Sequence, residues 1–260
     1  VFVGRADRRH PQQPRGGTSM SNGLVLVLSS RREPWGDLMD VSLATWDAEP
    51  HPDVQTLYYC ANGGNKLIRD NVRYSAMEDS LENISPRTLE ALGWALELPD
   101  WKYLARPNSS CYVHKGNLAK HCDTLPETGV LRGAWAGGDS NNPSVGFLWG
   151  GGQYIISRDV VEQMVKAGAG WKNGLMDDEA ITDCAKGVGI SMNQGCVFAT
   201  IDDQFEGKWL CMCYGLGEPF TFTDFADLKK ADGHFFFRVK QDHNRRLDEK
   251  LMRELKKNLP

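Results

Sequence analysis

The segment from Tyr103 to Val113 decides the predicted fold; it reads Tyr-Leu-Ala-Arg-Pro-Asn-Ser-Ser-Cys-Tyr-Val. A short apolar strand here runs directly into a polar cluster, and an aromatic residue and a valine follow. In open α/β sheets, ligands bind outside the carboxyl ends of the strands. The polar residues alone also fit a simple turn, and the arginine fits a surface ion pair. The side chains that we expect to hold a polar substrate are Arg106, Asn108, Ser109 and Ser110.

The chain has 260 residues, of which 41% are hydrophobic, so it can bury one substantial core. Residues 1–19 are rich in Arg, Pro, Gln and Gly and lack apolar periodicity, which predicts a flexible leader. We expect one domain over residues 20–260.

The balance of charge argues against several classes of protein. A formal net charge of -4 and a pI near 5.9 give no overall attraction to nucleic acid. The longest apolar stretch is too short to span a bilayer, and no signal-peptide pattern precedes it. Seven cysteines without a paired framework indicate reduced thiols. These features predict a soluble, cytoplasmic protein without a membrane span.

Alternating strand and helix patterns surround the first segment. The continuous apolar run from Leu24 to Leu28 predicts a parallel strand covered on both faces, and Thr56 to Cys60 predicts another strand. Ser85 as N-cap and Pro86 at the first position predict a helix that ends before Pro99. This order predicts an α/β fold, a Rossmann-like domain with a mostly parallel central sheet flanked by helices.

Further helices are expected later in the chain. One runs from near Ala119 toward Leu125, and a second begins at a capping box formed by Asp159 and Glu162. The last helix is basic and amphipathic and carries three leucines on one face. These leucines are Leu247, Leu251 and Leu255.

Two segments between these helices carry candidate chemistry. Gly150, Gly151 and Gly152 let the backbone approach a ligand closely, although a tight corner explains them equally well. Asp177 and Asp178 start a helix, where carboxylates are stabilised even without a catalytic role. Neighbouring helical residues diverge, so these acids do not suit a glycosidase that flanks one bond with two carboxylates. One acid acting alone as a base is the better interpretation.

Four segments in this order resemble inverting GT-A glycosyltransferases of the Fringe and β-1,3-galactosyltransferase-like family and its viral and bacterial relatives. The resemblance spans roughly residues 22–256, and its specific motifs occupy about a quarter of that span. The matching segments are Pro99 to Val113, Gly150 to Val165, Asp177 to Ile190 and His234 to Lys240.

The resemblance implies a GT-A-type domain and places a metal question at the first segment. Members carry an acidic, metal-binding motif before a Tyr-Val pair, and here Tyr112 and Val113 stand in register. Asn108, Ser109 and Ser110 replace the acids, and amide and hydroxyl groups are weak ligands for manganese or magnesium. His234 corresponds to a late histidine that can join a metal, although a lone histidine beside three phenylalanines also fits a core position. The need for a divalent metal therefore stays open.

The resemblance also implies a mechanism. An acceptor hydroxyl would give its proton to Asp178 and attack the anomeric carbon of a nucleoside-diphosphate sugar, with Asp177 orienting the acceptor or the base. The transferred group would be a hexose or a pentose, and the Gly-rich turn would lie on the acceptor side. The residues expected to neutralise the leaving diphosphate are Arg106, Arg238 and Lys240, and those expected to hold the nucleoside or a metal are Asp70 and Asn71.

Two alternatives remain open at this point. In one, a protein with this fold only binds a glycan or a nucleotide, and the replaced acidic motif reflects lost catalysis. In the other, a phage-type transferase glycosylates hydroxymethylated DNA bases, so that nucleic acid is a partner only as the acceptor. The sequence contains no phosphate-binding GxxxxGK motif that would favour a P-loop hydrolase instead.

Overall fold

The computed structural model describes residues 21–62, 67–133, 135–136, 147–148, 153–190, 211–215, 220–222, 233–239 and 245–259. The predicted leader, residues 1–19, lies outside these ranges. The strands are β1 (Ser21–Ser29), β2 (Val54–Asn62), β3 (Val72–Glu78), β4 (Trp101–Arg106), β5 (Cys111–Val113), β6 (Leu131–Gly133), β7 (Trp135–Ala136), β8 (Phe147–Leu148), β9 (Tyr154–Ser157), β10 (Cys211–Gly215), β11 (Phe220–Phe222) and β12 (His234–Val239). The helices are α1 (Trp35–Ala44), α2 (Ile84–Glu97), α3 (Lys115–Cys122), α4 (Arg158–Lys166), α5 (Asp177–Gly187) and α6 (Arg245–Asn258).

A six-stranded sheet in the order β3-β2-β1-β4-β9-β6 forms the centre of the molecule. The first four strands are parallel, and β9 runs antiparallel to both of its neighbours. The predicted α/β architecture with a mostly parallel sheet is therefore confirmed. The carboxyl ends of β1, β3 and β4 consequently meet at one edge of the sheet, which we call the carboxyl edge, and the opposite edge is the amino edge.

Helices cover both faces of this sheet, as the strand β1 requires. Its residues Leu24, Val25 and Leu26 are fully buried, and they alternate between two apolar clusters. One cluster contains residues of α1, α3 and α6, and the other contains residues of α2, α4 and α5. A continuous apolar run is stable only in such a strand, because alternate side chains point to opposite faces.

A second, antiparallel sheet in the order β11-β10-β12-β5 extends from the end of β4. The pairing of β12 with β5 sets Arg238 opposite Cys111 and Phe237 opposite Tyr112. A segment more than a hundred residues later in the chain thus lies beside the polar turn that follows β4.

Several predicted helix boundaries need correction. Asn83, and not Ser85, is the N-cap of α2, because the Ser85 hydroxyl accepts a hydrogen bond from the Trp171 indole and donates to the Lys172 carbonyl. Helix α3 begins at Lys115, with His114 as its N-cap, and ends at Cys122. The predicted start of α5 at Asp177 agrees with the structure. None of the described helices is both long and apolar enough to cross a membrane.

Candidate functional site at the carboxyl edge

Arg106 is the last residue of β4 and the centre of the candidate site. In the sheet it lies opposite Tyr154 of β9, and Tyr154 lies in turn opposite Gly133 of β6. Gly133 is required there, because a Cβ atom would lie 2.8 Å from the Tyr154 Cβ and 2.9 Å from the Gln153 carbonyl oxygen. Arg106, Tyr154 and Gly133 therefore lie side by side on three closely packed strands, and we call these three residues the Arg106 row.

A buried ion pair joins this row to the predicted acids. The Arg106 Nη2 atom lies 2.5 Å from Asp177 Oδ2, and the two side chains are only 6% and 4% exposed. The Tyr154 hydroxyl donates to the same carboxylate oxygen at 3.3 Å, and its ring lies 5.7 Å from the guanidinium carbon. Burial is the largest single influence and lowers the pKa of Arg106, but the charges of Asp177, Tyr154 and Asp178 together outweigh it, so the pKa of Arg106 is raised. Burial, followed by Asp177, raises the pKa of Tyr154 well above its ordinary value.

Asp178 stands next to this pair in the first turn of α5 and is also buried. Its Oδ1 atom accepts a hydrogen bond from the Glu179 backbone N–H at 3.0 Å, and its charge acts on Arg106. Of the two acids, Asp177 pairs with Arg106 and accepts from Tyr154.

The polar cluster after β4 forms a tight turn. The Asn108 Oδ1 atom accepts hydrogen bonds from the Ser109 hydroxyl, the Ser110 hydroxyl and the Ser110 N–H, at 3.3 to 3.4 Å. The Asn108 carbonyl accepts the Cys111 N–H at 3.0 Å. The turn that the sequence offered as the simpler explanation is therefore present, and it occupies the amide oxygen that a metal would need.

A cavity of about 290 Å³ opens beside this turn, at the carboxyl ends of three parallel strands. Polar side chains meet an apolar rim there, and Leu81 of that rim is 70% exposed. The polar lining consists of Ser29, Ser30, Asp79, Ser80, Arg87, Arg106, Asn108 and Ser109, and the apolar lining of Leu28, Trp35, Leu81 and Ile84.

Arg87 adds a second buried cation to the cavity. Its Nη1 atom lies 3.1 Å from Asp79 Oδ1, and its side chain is 6% exposed. Its Nε atom is buried and has no hydrogen-bond partner in the described part of the chain. Because a guanidinium carries five N–H donors, Arg87 keeps donors beyond those that Asp79 uses.

The two predicted residues of β12 are placed differently. Arg238 is buried, and the N–H of the following Val239 donates to the Ser110 carbonyl at 2.9 Å, so this residue adjoins the turn. His234 lies four residues earlier, which is about 13 Å along a strand, and its carbonyl accepts from the Asn117 amide. The described residues contain no group of three or more His, Cys, Asp or Glu side chains suited to a metal. The structure therefore does not bring His234 to the turn, and its role as a metal ligand stays a prediction.

Asp70 and Asn71 also lie away from the site. They precede β3, and the start of a parallel strand belongs to the amino edge, where both line a broad cleft of about 1070 Å³. The Asn71 amide donates to the Thr56 carbonyl at 3.3 Å. We therefore withdraw both residues from the donor site. Gly150, Gly151, Gly152 and Lys240 lie outside the described residues.

Sequence reasoning did not select Asp79, Ser80 or Arg87. The signal was present, because the segment Val72 to Glu78 alternates partly between apolar and polar residues and ends in a polar run. Strand β3 is an outermost strand of the sheet and is only partly buried, so its sequence lacks the regular alternation by which strands are recognised. Without β3, the polar residues that follow it cannot be assigned to the carboxyl edge.

Comparison with known proteins adds little to this description. No protein-family model and no curated protein matches the chain. Among solved structures, the 4-diphosphocytidyl-2C-methyl-D-erythritol synthase from Anaerococcus prevotii DSM 20548 aligns with a TM-score of 0.43 and 10% sequence identity. The alignment covers 70% of this chain and 88% of that one.

Proposed function

We propose that the protein is a GT-A-type glycosyltransferase that moves a sugar from a nucleoside-diphosphate sugar to an acceptor hydroxyl with inversion. One observation carries the proposal: Arg106 lines the cavity at the carboxyl edge and pairs with Asp177, the neighbour of Asp178. Arg106 thereby links the cavity to the two buried acids, Asp177 and Asp178. Open α/β sheets bind their ligands at this edge.

The cavity has the chemistry that a nucleotide sugar needs. Asp79 supplies acceptors, while Arg87, Ser29 and Ser30 supply donors, so one end can recognise a base or a ribose. Trp35 and Leu81 offer apolar surface against which a flat ring can pack. The diphosphate would then lie toward Arg106 and the turn at Asn108.

The step itself consists of one displacement. The acceptor oxygen forms a bond to the anomeric carbon while the bond from that carbon to the diphosphate oxygen breaks, and its electron pair leaves with the diphosphate. The hydroxyl proton passes to Asp178, the second acid of the pair, while Asp177 is held by Arg106 and Tyr154. Asp177 orients Arg106 and the start of α5.

The leaving diphosphate requires positive charge. Arg106 and Arg87 both line the cavity, and they pair with Asp177 and Asp79, respectively. Arg238 adjoins the turn, and Lys240 follows it in sequence. Cationic side chains and backbone N–H groups can stabilise such charge without a metal. The tight turn at Asn108 supports this arrangement over a manganese or magnesium bridge, because the Asn108 oxygen already accepts three hydrogen bonds.

A donor panel tests the proposal. Purified protein is incubated with uridine, guanosine, cytidine, adenosine and thymidine diphosphate sugars, with manganese or with chelator, and nucleotide release and binding are measured. We expect one donor class to bind and to turn over, and turnover to persist in chelator. Absence of binding to every nucleotide would remove the proposed function, and binding without turnover across an acceptor panel would favour the noncatalytic alternative.

The same assay tests the base. Asp178→Asn should reduce turnover by about 10²- to 10⁴-fold and leave donor affinity nearly unchanged, because the lost proton transfer occurs only in the transition state. Asp183→Asn is the matched control, since Asp183 lies on the exposed side of the same helix and pairs with Lys172. Full activity in Asp178→Asn would exclude Asp178 as the base.

A further inference from the structure

Gln153, immediately before β9, has an unusual backbone conformation. Its φ angle is 62°, in the left-handed region that side chains other than glycine rarely adopt. Among the described residues other than glycine, only Asp100 shares this conformation, with φ 63° in an exposed turn. Gln153 is instead 1% exposed. A strained backbone at a buried polar residue needs an explanation beyond turn formation.

The side chain of Gln153 is also unsatisfied. Neither its Oε1 nor its Nε2 atom has a hydrogen-bond partner within the part of the chain that the structure describes, and both atoms are buried. Buried amide groups in folded proteins are nearly always paired with protein, water or ligand. The donor and the acceptor of this carboxamide are therefore both left without a partner within the described part of the chain.

The position of Gln153 indicates which molecule this is. Strand β9 runs antiparallel to β4, so the residue before Tyr154 lies one step beyond Arg106, at the carboxyl edge. Tyr154 donates to Asp177, the acid next to the proposed base. Gln153 is thus adjacent in sequence to the residue that joins β9 to the acid pair.

We infer that the Gln153 carboxamide is a specificity-determining contact that binds a sugar hydroxyl; this inference rests on the proposed function. A hydroxyl donates one hydrogen bond and accepts others, and a neutral carboxamide offers both complements. A phosphate would be better served by the neighbouring arginines, since it only accepts.

Three variants test the inference. Gln153→Gly relieves the left-handed strain and removes the carboxamide, whereas Gln153→Met keeps the length and the strain and removes only the hydrogen-bonding groups. Asp100→Gly is the matched control, because it relieves the same strain in an exposed turn outside the site. Thermal unfolding is measured together with affinity, by calorimetry, for nucleoside diphosphates and their glucose, galactose and N-acetylglucosamine esters.

We expect both glycine variants to raise Tm by about 2 to 4 °C. Only the two Gln153 variants should lose activity. If the hydroxyl belongs to the transferred sugar, they bind the nucleotide sugar about 3- to 10-fold more weakly and the free diphosphate as tightly as the wild type does. If it belongs to the acceptor, donor affinity is kept and the KM for methyl glycoside acceptors rises by a similar factor.

Two results would overturn the inference, and they can be told apart. Unchanged donor affinity and acceptor KM in both Gln153 variants would show that the residue contacts neither sugar, while the proposed function stands. A wild-type protein that binds none of the nucleotides would remove the proposed function and the inference together, and this is seen before any variant is compared.

Discussion

The two edges of the central sheet each hold a buried ion pair beside an aromatic ring. At the carboxyl edge, Arg106 pairs with Asp177 against Tyr154; at the amino edge, Lys115 pairs with Asp47 at 2.6 Å, and its ammonium lies 5.8 Å from the Trp46 ring. Both pairs are similarly buried. A buried ion pair alone therefore does not identify a functional site.

The surroundings of the two pairs differ. The Lys115 ammonium also donates to the Glu49 carbonyl, so that its contacts fasten the start of α3 to the loop after α1. Arg106 instead lines a compact cavity and meets an acid whose neighbour is also buried. The amino-edge pair joins two segments of the fold, whereas the carboxyl-edge pair joins the lining of a cavity to two neighbouring buried acids.

The largest expected effect separates these two roles directly. Arg106→Met and Lys115→Met should each lower the free energy of unfolding by about 3 to 5 kcal/mol, because each leaves a carboxylate buried without its partner. Only Arg106→Met should also reduce turnover, by about 10²-fold or more. Denaturant unfolding and steady-state kinetics, at a temperature where both variants are folded, give the two readouts.

A conservative variant keeps this comparison interpretable if Arg106→Met does not fold. Arg106→Lys retains the charge but not the two-pronged geometry, so it should fold and still turn over more slowly than the wild type. An equal loss of turnover in Lys115→Met would contradict the distinction between the edges.

A smaller effect is expected at Gly133, which brings β6 close to the Arg106 row. Gly133→Ala places a Cβ within 3 Å of the Tyr154 Cβ and the Gln153 carbonyl, so β9 must shift. We expect a loss of about 1 to 3 kcal/mol and lower turnover, because Tyr154 moves with the strand. Gly93→Ala is the control: nothing lies within 4 Å of its Cβ, and an alanine inside α2 should stabilise the protein by about 0.5 to 1 kcal/mol. A Gly133→Ala protein with the stability and turnover of the wild type would contradict the close packing of β6 against β9.

The sequence predicts the local part of this fold well. The apolar run of β1, the leucine pattern of α6 and the acids that open α5 follow from periodicity and capping alone. These features depend on residues that are close together in the chain.

The site depends instead on contacts that the sequence does not display. The pairing of β9 with β4 brings Tyr154 to Arg106, and the pairing of β12 with β5 brings Arg238 to the turn. Asp70 and Asn71 illustrate the opposite failure. They were expected to hold the nucleoside or a metal, but they precede β3, and in a parallel sheet this places them at the other edge.

The smallest expected effect concerns pH and lies at the amino edge. Burial lowers the pKa of His51, and Asp53 opposes this effect only in part. The His51 Nδ1 atom accepts the Asp53 N–H at 3.2 Å, which also favours the neutral ring. Below its ordinary pKa of about 6.5, the unfolded chain therefore takes up a proton that the folded protein resists, so stability is full above that pH and falls as the pH decreases.

His51→Asn tests this account, because the asparagine oxygen can still accept the Asp53 N–H but does not titrate. Urea unfolding at about pH 7.5 and about pH 5.5 should show a smaller loss of stability in the variant than in the wild type. The pH profile of turnover should be the same in both proteins, since His51 lies at the edge opposite the acids. A changed turnover profile with unchanged pH dependence of stability would reverse the roles assigned to the two edges, because the amino edge would then take part in the chemistry.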